Sequence, residues 1–210
     1  MNTKSCLRCR FLRLLLLLAL GISVKAAAQA GVLEVHVGVT PKCPYGMAAC
    51  YPSASAALRQ LEGIETVSSN PDSYNCMAEV WLTDGGLPNV KQWQEHFKSM
   101  VGESYVFRGV EVTIEGTLEQ KDGKLLLQSE GLPEPVALAA LQHKLQWNFL
   151  KRSSRGPEED ERTAYQQLEA KNKESTGTAF KVRVTGPLQT SDAGPVLEIR
   201  EFFLLTPSAY

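Results

Sequence analysis

Residues 33–63 read LEVHVGVTPKCPYGMAACYPSASAALRQLEG, and this stretch decides the fold. Apolar residues alternate with polar residues or glycine over 33–38, which is the period of a half-buried strand. Over 54–61, alanine and leucine recur on one face at helical spacing, and Gly63 is placed to end that helix. The stretch therefore predicts a strand, a cysteine-containing loop and a helix.

The elements that follow complete a βαββαβ unit of the α+β class. Residues 64–68 can form a second strand, and alternation over 76–83 predicts a third. Apolar residues at helical spacing predict a second helix over 89–101. A fourth strand is predicted over 105–114. This order is that of a ferredoxin-like sandwich, in which the strands would lie in the order 4-1-3-2.

The remainder of the chain is predicted to be a small β domain. Strands are expected before and after a hairpin turn at 121–124, and a clean alternation predicts another strand over 141–149. A charged helix follows, and two strands joined by a turn at 191–194 close the chain. Three strands, a helix and two strands is the order of an OB-fold barrel. Its first strand is expected to continue the fourth strand of the preceding unit, which would stiffen the junction near Arg108.

The first 30 residues predict export. They combine a basic start, an apolar run over 14–24 and small residues at Ala28 and Ala30 that a signal peptidase could read. The apolar run is shorter than the roughly 20 residues that a membrane-spanning helix needs. We therefore predict a signal peptide at 1–30 and a periplasmic or secreted mature protein. After cleavage of the signal, the protein is not expected to span a membrane.

The charge of the mature chain limits its partners, and its length limits the number of domains. Beyond residue 30, 17 basic residues stand against 23 acidic ones. Nucleic-acid binders neutralise phosphates with clustered lysine and arginine, so this balance argues against a nucleic-acid partner. The length fits two small domains, predicted at 31–107 and 108–210.

Three cysteines belong to the predicted mature chain: Cys43, Cys50 and Cys76. An oxidising compartment favours a disulfide between two of them, and the odd number leaves one thiol over. The sequence leaves the pairing open. A closed loop of this kind typically contributes about 2–4 kcal/mol to stability.

Residues 31–116 resemble the heavy-metal-associated domain of periplasmic mercury-binding proteins, copper chaperones and metal-transporting ATPases. The resemblance rests on the loop Gly46-Met47-Ala48-Ala49-Cys50 and on a helix that closes at Leu61-Glu62-Gly63-Ile64. In that family, Gly-Met-x-Cys-x-x-Cys holds the metal. Counting back from Gly63 places Cys50 on the second metal cysteine and Met47 on the first; the other register places Cys50 first and Ser53 second. The metal motif is degenerate in both registers.

The sheet order of such a sandwich brings the start of the third strand beside the end of the first. We therefore expect Cys43, Cys50 and Cys76 to converge at one edge, with Met47 near them, as candidate metal ligands. Thiolate and thioether ligands prefer soft ions, so the resemblance implies Cu(I) or another soft metal ion.

No catalytic motif is recognised, so no catalytic residue is predicted and the protein is not expected to be an enzyme. His36 is expected to be a surface residue, and His143 is expected to be buried and hydrogen-bonded. Two functions stay open. One is an exported, non-catalytic binding protein that binds or handles a soft metal ion such as copper. The alternative is a structural or interaction protein of the envelope, with an envelope protein as its partner, whose cysteines form a disulfide and bind no metal.

Overall fold

The computed structural model describes residues 31–175, 179–191 and 194–205. The predicted signal peptide and the middle of the predicted turn at 191–194 lie outside the described residues. The described part has one large sheet and three α-helices, which confirms the α+β class. None of these three helices is both long and apolar enough to cross a bilayer.

The first half of the chain has the element order βαββαβ that the sequence predicts. Its elements are β1 (Val32–Pro41), α1 (Gly46–Leu58), β2 (Ile64–Val67), β3 (Met77–Leu82), α2 (Val90–Val101) and β4 (Tyr105–Lys121). Helix α1 begins before the predicted 54–61 and contains Pro52, which disfavours a helix interior. Met47 and Tyr51 are buried on the same side as Ala54 and Leu58, and this tertiary burial offsets the cost of the proline.

The second half adds five longer strands, one helix and a short hairpin. Its elements are β5 (Lys124–Gln128), β6 (Val136–Ala140), β7 (Trp147–Asn148), β8 (Ser153–Ser154), α3 (Glu159–Glu174), β9 (Lys181–Ser191), β10 (Gly194–Ile199) and β11 (Glu201–Leu205). Strands β7 and β8 form a two-stranded sheet of their own.

The large sheet has the strand order β11-β9-β10-β6-β5-β4-β1-β3-β2, and β9 also pairs with β4. Strands β4, β5, β6, β10 and β9 therefore close a ring, in which only β6 and β10 run parallel. Strand β4 runs unbroken for 17 residues and belongs to both this ring and the β1–β3 sheet. This continuity confirms that the predicted fourth strand runs on past Arg108 without a break.

The strand predicted over 141–149 is wrong for most of its length. Residues 141–146 form no strand, because side chains bind their backbone groups instead. The carboxylate of Glu198 accepts the N–H groups of Gln142 and His143 at 2.7 and 2.8 Å, and Arg108 donates to the carbonyl of Leu145 at 2.9 Å. The third strand of the ring is Val136–Ala140.

Candidate functional site: a charged cleft on the polar face of the sheet

The sheet formed by β3, β1 and β4 has one apolar and one polar face. Val37 and Val110 belong to the hydrophobic core, whereas the residues that alternate with them point to the other side. On that polar face His36 lies directly between Glu79 on β3 and Glu111 on β4, as their cross-strand neighbour. Three adjacent strands thus contribute a carboxylate, an imidazole and a second carboxylate.

A segment that we call the strap, residues 141–158, forms one wall over this face. Its hairpin is closed by the N–H of Arg155, which donates to the carbonyl of Gln146 at 2.8 Å. The N–H of Trp147 donates to the carbonyl of Asn75 at 3.0 Å, so the strap is joined to the loop before β3. Between the strap, this loop and the polar face opens a cleft of about 670 Å³.

Arg108, on β4, connects the strap to the sheet. Its guanidinium donates to four oxygen atoms on three chain segments: the carbonyls of Leu145 (2.9 Å), Asn75 (3.2 Å) and Cys76 (2.8 Å), and the hydroxyl of Thr40. The same group lies 5.6 Å from the centre of the Trp147 ring, within cation–π distance. Burial lowers the pKa of Arg108 to about 10, which leaves the side chain charged at neutral pH.

Arg155 makes a second connection between the strap and the loop. Its guanidinium lies 3.7 Å from the centre of the Tyr74 ring and donates to the Tyr74 carbonyl at 2.9 Å. Asp72 organises the loop from within, because its carboxylate accepts the N–H groups of Tyr74 and Asn75, both at 3.0 Å. Both walls of the cleft are therefore fixed by charge-assisted hydrogen bonds.

The floor of the cleft contains a buried ion network. Arg200 donates to both carboxylate oxygens of Glu111, at 3.0 and 3.1 Å, and lies 3.8 Å from Glu161. Lys144 pairs with Glu161 at 2.6 Å, and only 8 and 9% of these two side chains is exposed. Burial by itself lowers the pKa of Arg200, but the charge and hydrogen bond of Glu111, together with the charges of Glu201 and Glu161, outweigh it, so that pKa is raised. Arg200 is thus charged at all working pH values.

The cleft as a whole is negatively charged. Among the described residues, seven carboxylates line it against three cationic side chains, and each of these cations is already engaged: Lys144 with Glu161, Arg200 with Glu111, and Arg155 with Tyr74. Within the described residues, Glu34 and Glu79 have no ion-pair partner; Glu34 only accepts a hydrogen bond from the Thr113 hydroxyl at 3.3 Å. These two carboxylates are free to attract a cation.

Two of the sulfur residues predicted as metal ligands form a disulfide instead. Cys43 and Cys50 are bonded to each other, which confirms the expected disulfide and settles its pairing. The loop is also held by the Tyr105 hydroxyl, which donates to the Cys50 carbonyl at 2.5 Å. Cys76 lies at the same end of the sheet, since its carbonyl accepts the N–H of Val39 on β1. Its thiol is free and buried.

While the disulfide is intact, Cys43 and Cys50 cannot serve as thiolate ligands. Two of the four sulfurs are not thiolates, and the other two belong to Met47 and Cys76, whose exposures are 2 and 0%. In the part of the chain that the structure describes, no group of three or more His, Cys, Asp or Glu residues is arranged to hold a metal. Binding of a soft metal ion by these residues stays a prediction.

We expect the double variant Cys43→Ser/Cys50→Ser to lose about 2–3 kcal/mol of unfolding free energy, because the seven-residue separation closes a short loop. Urea denaturation of both proteins, with and without a reductant, measures the loss. The reductant should destabilise the native protein to the level of the variant and leave the variant unchanged. A variant as stable as the oxidised protein would show that the disulfide is dispensable.

His36 points away from the core, as predicted, whereas His143 matches its prediction only in part. His36 is half-buried in the cleft rather than on an open surface. His143 is hydrogen-bonded as expected, with Nδ1 2.8 Å from the Glu198 carboxylate, but 68% of its side chain is exposed. The prediction of a buried imidazole is therefore wrong, because the segment that carries it lies outside the sheet.

The cleft is not among the features predicted from the sequence. One signal was available: acidic residues recur on alternate positions of β1, β3 and β4 at Glu34, Glu79 and Glu111, opposite the apolar positions. The cations Lys144 and Arg200 carry no such signal, because only the fold brings them to Glu161 and Glu111.

Comparison of the chain with protein-family models, with curated proteins and with solved structures gives no match. The resemblance to heavy-metal-associated domains accordingly stays a prediction. The charged cleft is the feature on which a functional assignment can rest.

Proposed function

We propose that this chain is an exported, non-catalytic binding protein whose cleft binds a cationic organic ligand. One observation carries the proposal: Glu34 and Glu79 face a cleft of about 670 Å³ without ion-pair partners, while the cations around them are all engaged. Ligand sites in proteins typically have volumes of about 300–1,000 Å³. The Cys43–Cys50 disulfide supports export, because such bonds persist in oxidising compartments.

We infer a ferredoxin-like unit and an OB-like barrel that share strand β4. The neighbours β4-β1-β3-β2 support the first, since this is the order expected of a βαββαβ sandwich. The five-stranded ring supports the second, together with α3 between β6 and β9. With domains at 31–107 and 108–210, the cleft takes Glu79 from one unit and Glu111 and Arg200 from the other.

The chemistry of the cleft favours an ammonium or guanidinium group. An incoming cation meets two unpaired carboxylates beside the buried ion network of the cleft floor. Opposite charges attract more strongly near such a buried region than in bulk water. In the part of the chain that the structure describes, neither a serine nor a cysteine lines the cleft, and its lysine is held in the Glu161 ion pair. The hydroxyl of Thr185, 3.0 Å from that of Thr113, is engaged as well. These facts support binding without covalent chemistry.

Calorimetric titration with spermidine tests the proposal. We expect Glu34→Gln and Glu79→Gln each to weaken binding about five-fold, because an ion pair at a partly exposed site contributes about 1 kcal/mol. Glu119→Gln is the matched control, since Glu119 is an exposed acid that does not line the cleft. Raising the salt concentration should weaken binding in the native protein.

Two outcomes would count against the cleft as the site. One is the absence of heat on titration at low ionic strength. The other is an equal loss of affinity in Glu119→Gln and in Glu79→Gln, which would indicate a general attraction to an acidic surface.

Handling of a soft metal ion is a separate proposal for the reduced protein alone. Reduction would turn Cys50 and Cys43 into thiols at the same end of the sheet as Cys76. Uptake of Cu(I) by the reduced protein that is lost in Cys50→Ser would support it. An envelope protein as partner stays a proposal too.

A further inference from the structure

The strap ends in an ordered turn, which we call the strap tip, residues 149–152. The N–H of Arg152 donates to the Phe149 carbonyl at 3.3 Å, and the N–H of Lys151 donates to the Asn148 side chain at 3.0 Å. Strands β7 and β8 pair directly below the turn. The strap tip is thus a preformed structure rather than a loose loop.

Two large apolar side chains protrude at this point. Leu150 is 93% exposed, which is an unfavourable position for an aliphatic side chain in water. Tyr45 is 80% exposed on the neighbouring loop. The two loops are in contact, since the Phe149 ring lies 3.6 Å from the position that a Cβ on Gly46 would take. The Cys43–Cys50 disulfide holds the loop that carries Tyr45.

Two cations flank the apolar pair. Lys151 and Arg152 are exposed, and within the described residues their side chains have no ion-pair or hydrogen-bond partner. Lys42, in the loop of Tyr45, by contrast pairs with Glu103 at 2.9 Å, a carboxylate that also pairs with Lys98 at 3.3 Å. Lys151 and Arg152 thus differ from Lys42 in having no carboxylate partner among the described residues, although the chain beyond residue 30 is acidic as a whole.

We propose that the strap tip is a membrane-surface contact, which places Leu150 and Tyr45 in the interface of an anionic bilayer. A convex tip with protruding apolar residues matches the soft headgroup region, in which tyrosine rings are favoured. Lys151 and Arg152 would then meet lipid phosphates, the anionic groups that complement them. A protein partner would require a pocket to accept Leu150, whereas a bilayer accepts it without one. The inference does not depend on the cleft or its ligand.

Sedimentation of the mature protein with lipid vesicles tests the proposal. At low ionic strength, we expect binding to vesicles of equal parts phosphatidylglycerol and phosphatidylcholine. Binding to pure phosphatidylcholine should be much weaker. The double variant Lys151→Gln/Arg152→Gln should bind the anionic vesicles about 25-fold more weakly, because each basic residue near an anionic surface contributes about five-fold.

Matched variants separate the strap tip from general effects. Lys121→Gln/Lys124→Gln removes two exposed lysines at the β4–β5 turn and should leave vesicle binding unchanged. Leu150→Ser should weaken binding to the anionic vesicles, whereas Leu204→Ser, at a residue that is 49% exposed on β11, should not. Since the Leu150 side chain is almost fully exposed, Leu150→Ser should keep the thermal stability of the native protein.

Three results would overturn the proposal. The native protein could fail to bind the anionic vesicles, in which case the strap tip would contact the acidic surface of a protein partner and not a bilayer. It could bind both kinds of vesicle equally, which would show that Lys151 and Arg152 do not contribute to binding. Finally, the Lys121/Lys124 variant could lose as much binding as the Lys151/Arg152 variant, in which case the strap tip is not the contact.

Discussion

The substitution Arg200→Met should lower the free energy of unfolding by about 3–5 kcal/mol. It removes the cation between Glu111 and Glu161, whose side chains are only 4 and 9% exposed. Lys144 still neutralises Glu161, but among the described residues Glu111 is left with only the side-chain amide of Gln146, which donates at 3.1 and 3.3 Å. A buried carboxylate without a neighbouring cation raises the free energy of the folded state, which lowers the free energy of unfolding.

Urea denaturation of matched variants measures this effect. Arg183→Met is the control, because Arg183 pairs with Glu115 where both side chains are partly exposed, and it should cost no more than about 1 kcal/mol. The double variant Arg200→Met/Glu111→Leu should recover much of the loss, since it removes both charges. If Arg200→Met is no more destabilising than Arg183→Met, the buried network does not stabilise the fold.

The order of elements in the first half could be predicted because its signals are local. The alternation that gives β1, the spacing that gives α2 and the run that gives β3 each lie within a dozen residues. The disulfide was also predictable, since it follows from the compartment and the cysteine count. Its pairing was not, because the choice between Cys43, Cys50 and Cys76 depends on distances in the folded chain.

The cleft could not be predicted because its contacts are distant in sequence. Glu111 meets Arg200 across 89 positions, and Arg108 meets Thr40 across 68. The strap illustrates the same limit: its alternating pattern predicts a strand, yet Glu198 and Arg108 bind its backbone and keep residues 141–146 out of the sheet. A local sequence pattern shows which secondary structure a segment can adopt, but tertiary hydrogen bonds determine which one it adopts in the folded protein.

The second large effect is expected at Arg108, which joins the end of β1, the loop before β3 and the strap. Arg108→Leu should lower the free energy of unfolding by about 3 kcal/mol, because four oxygen acceptors lose a charged donor at once. Thermal and urea denaturation measure the loss. Arg59→Leu, at an exposed position after α1, is the control and should change stability by less than about 0.5 kcal/mol.

The same substitution should also free the strap, which a general loss of packing would not do selectively. Amide hydrogen exchange at Trp147 should accelerate more than at Val37 in the core, because Trp147 donates to Asn75, and Arg108 holds that loop in place. Arg108→Lys should rescue little of either effect, since an ammonium lacks the planar fork that reaches three segments. Full rescue by lysine would show that only the positive charge is needed. In that case the geometry of the guanidinium is not what aligns the wall of the cleft with its floor.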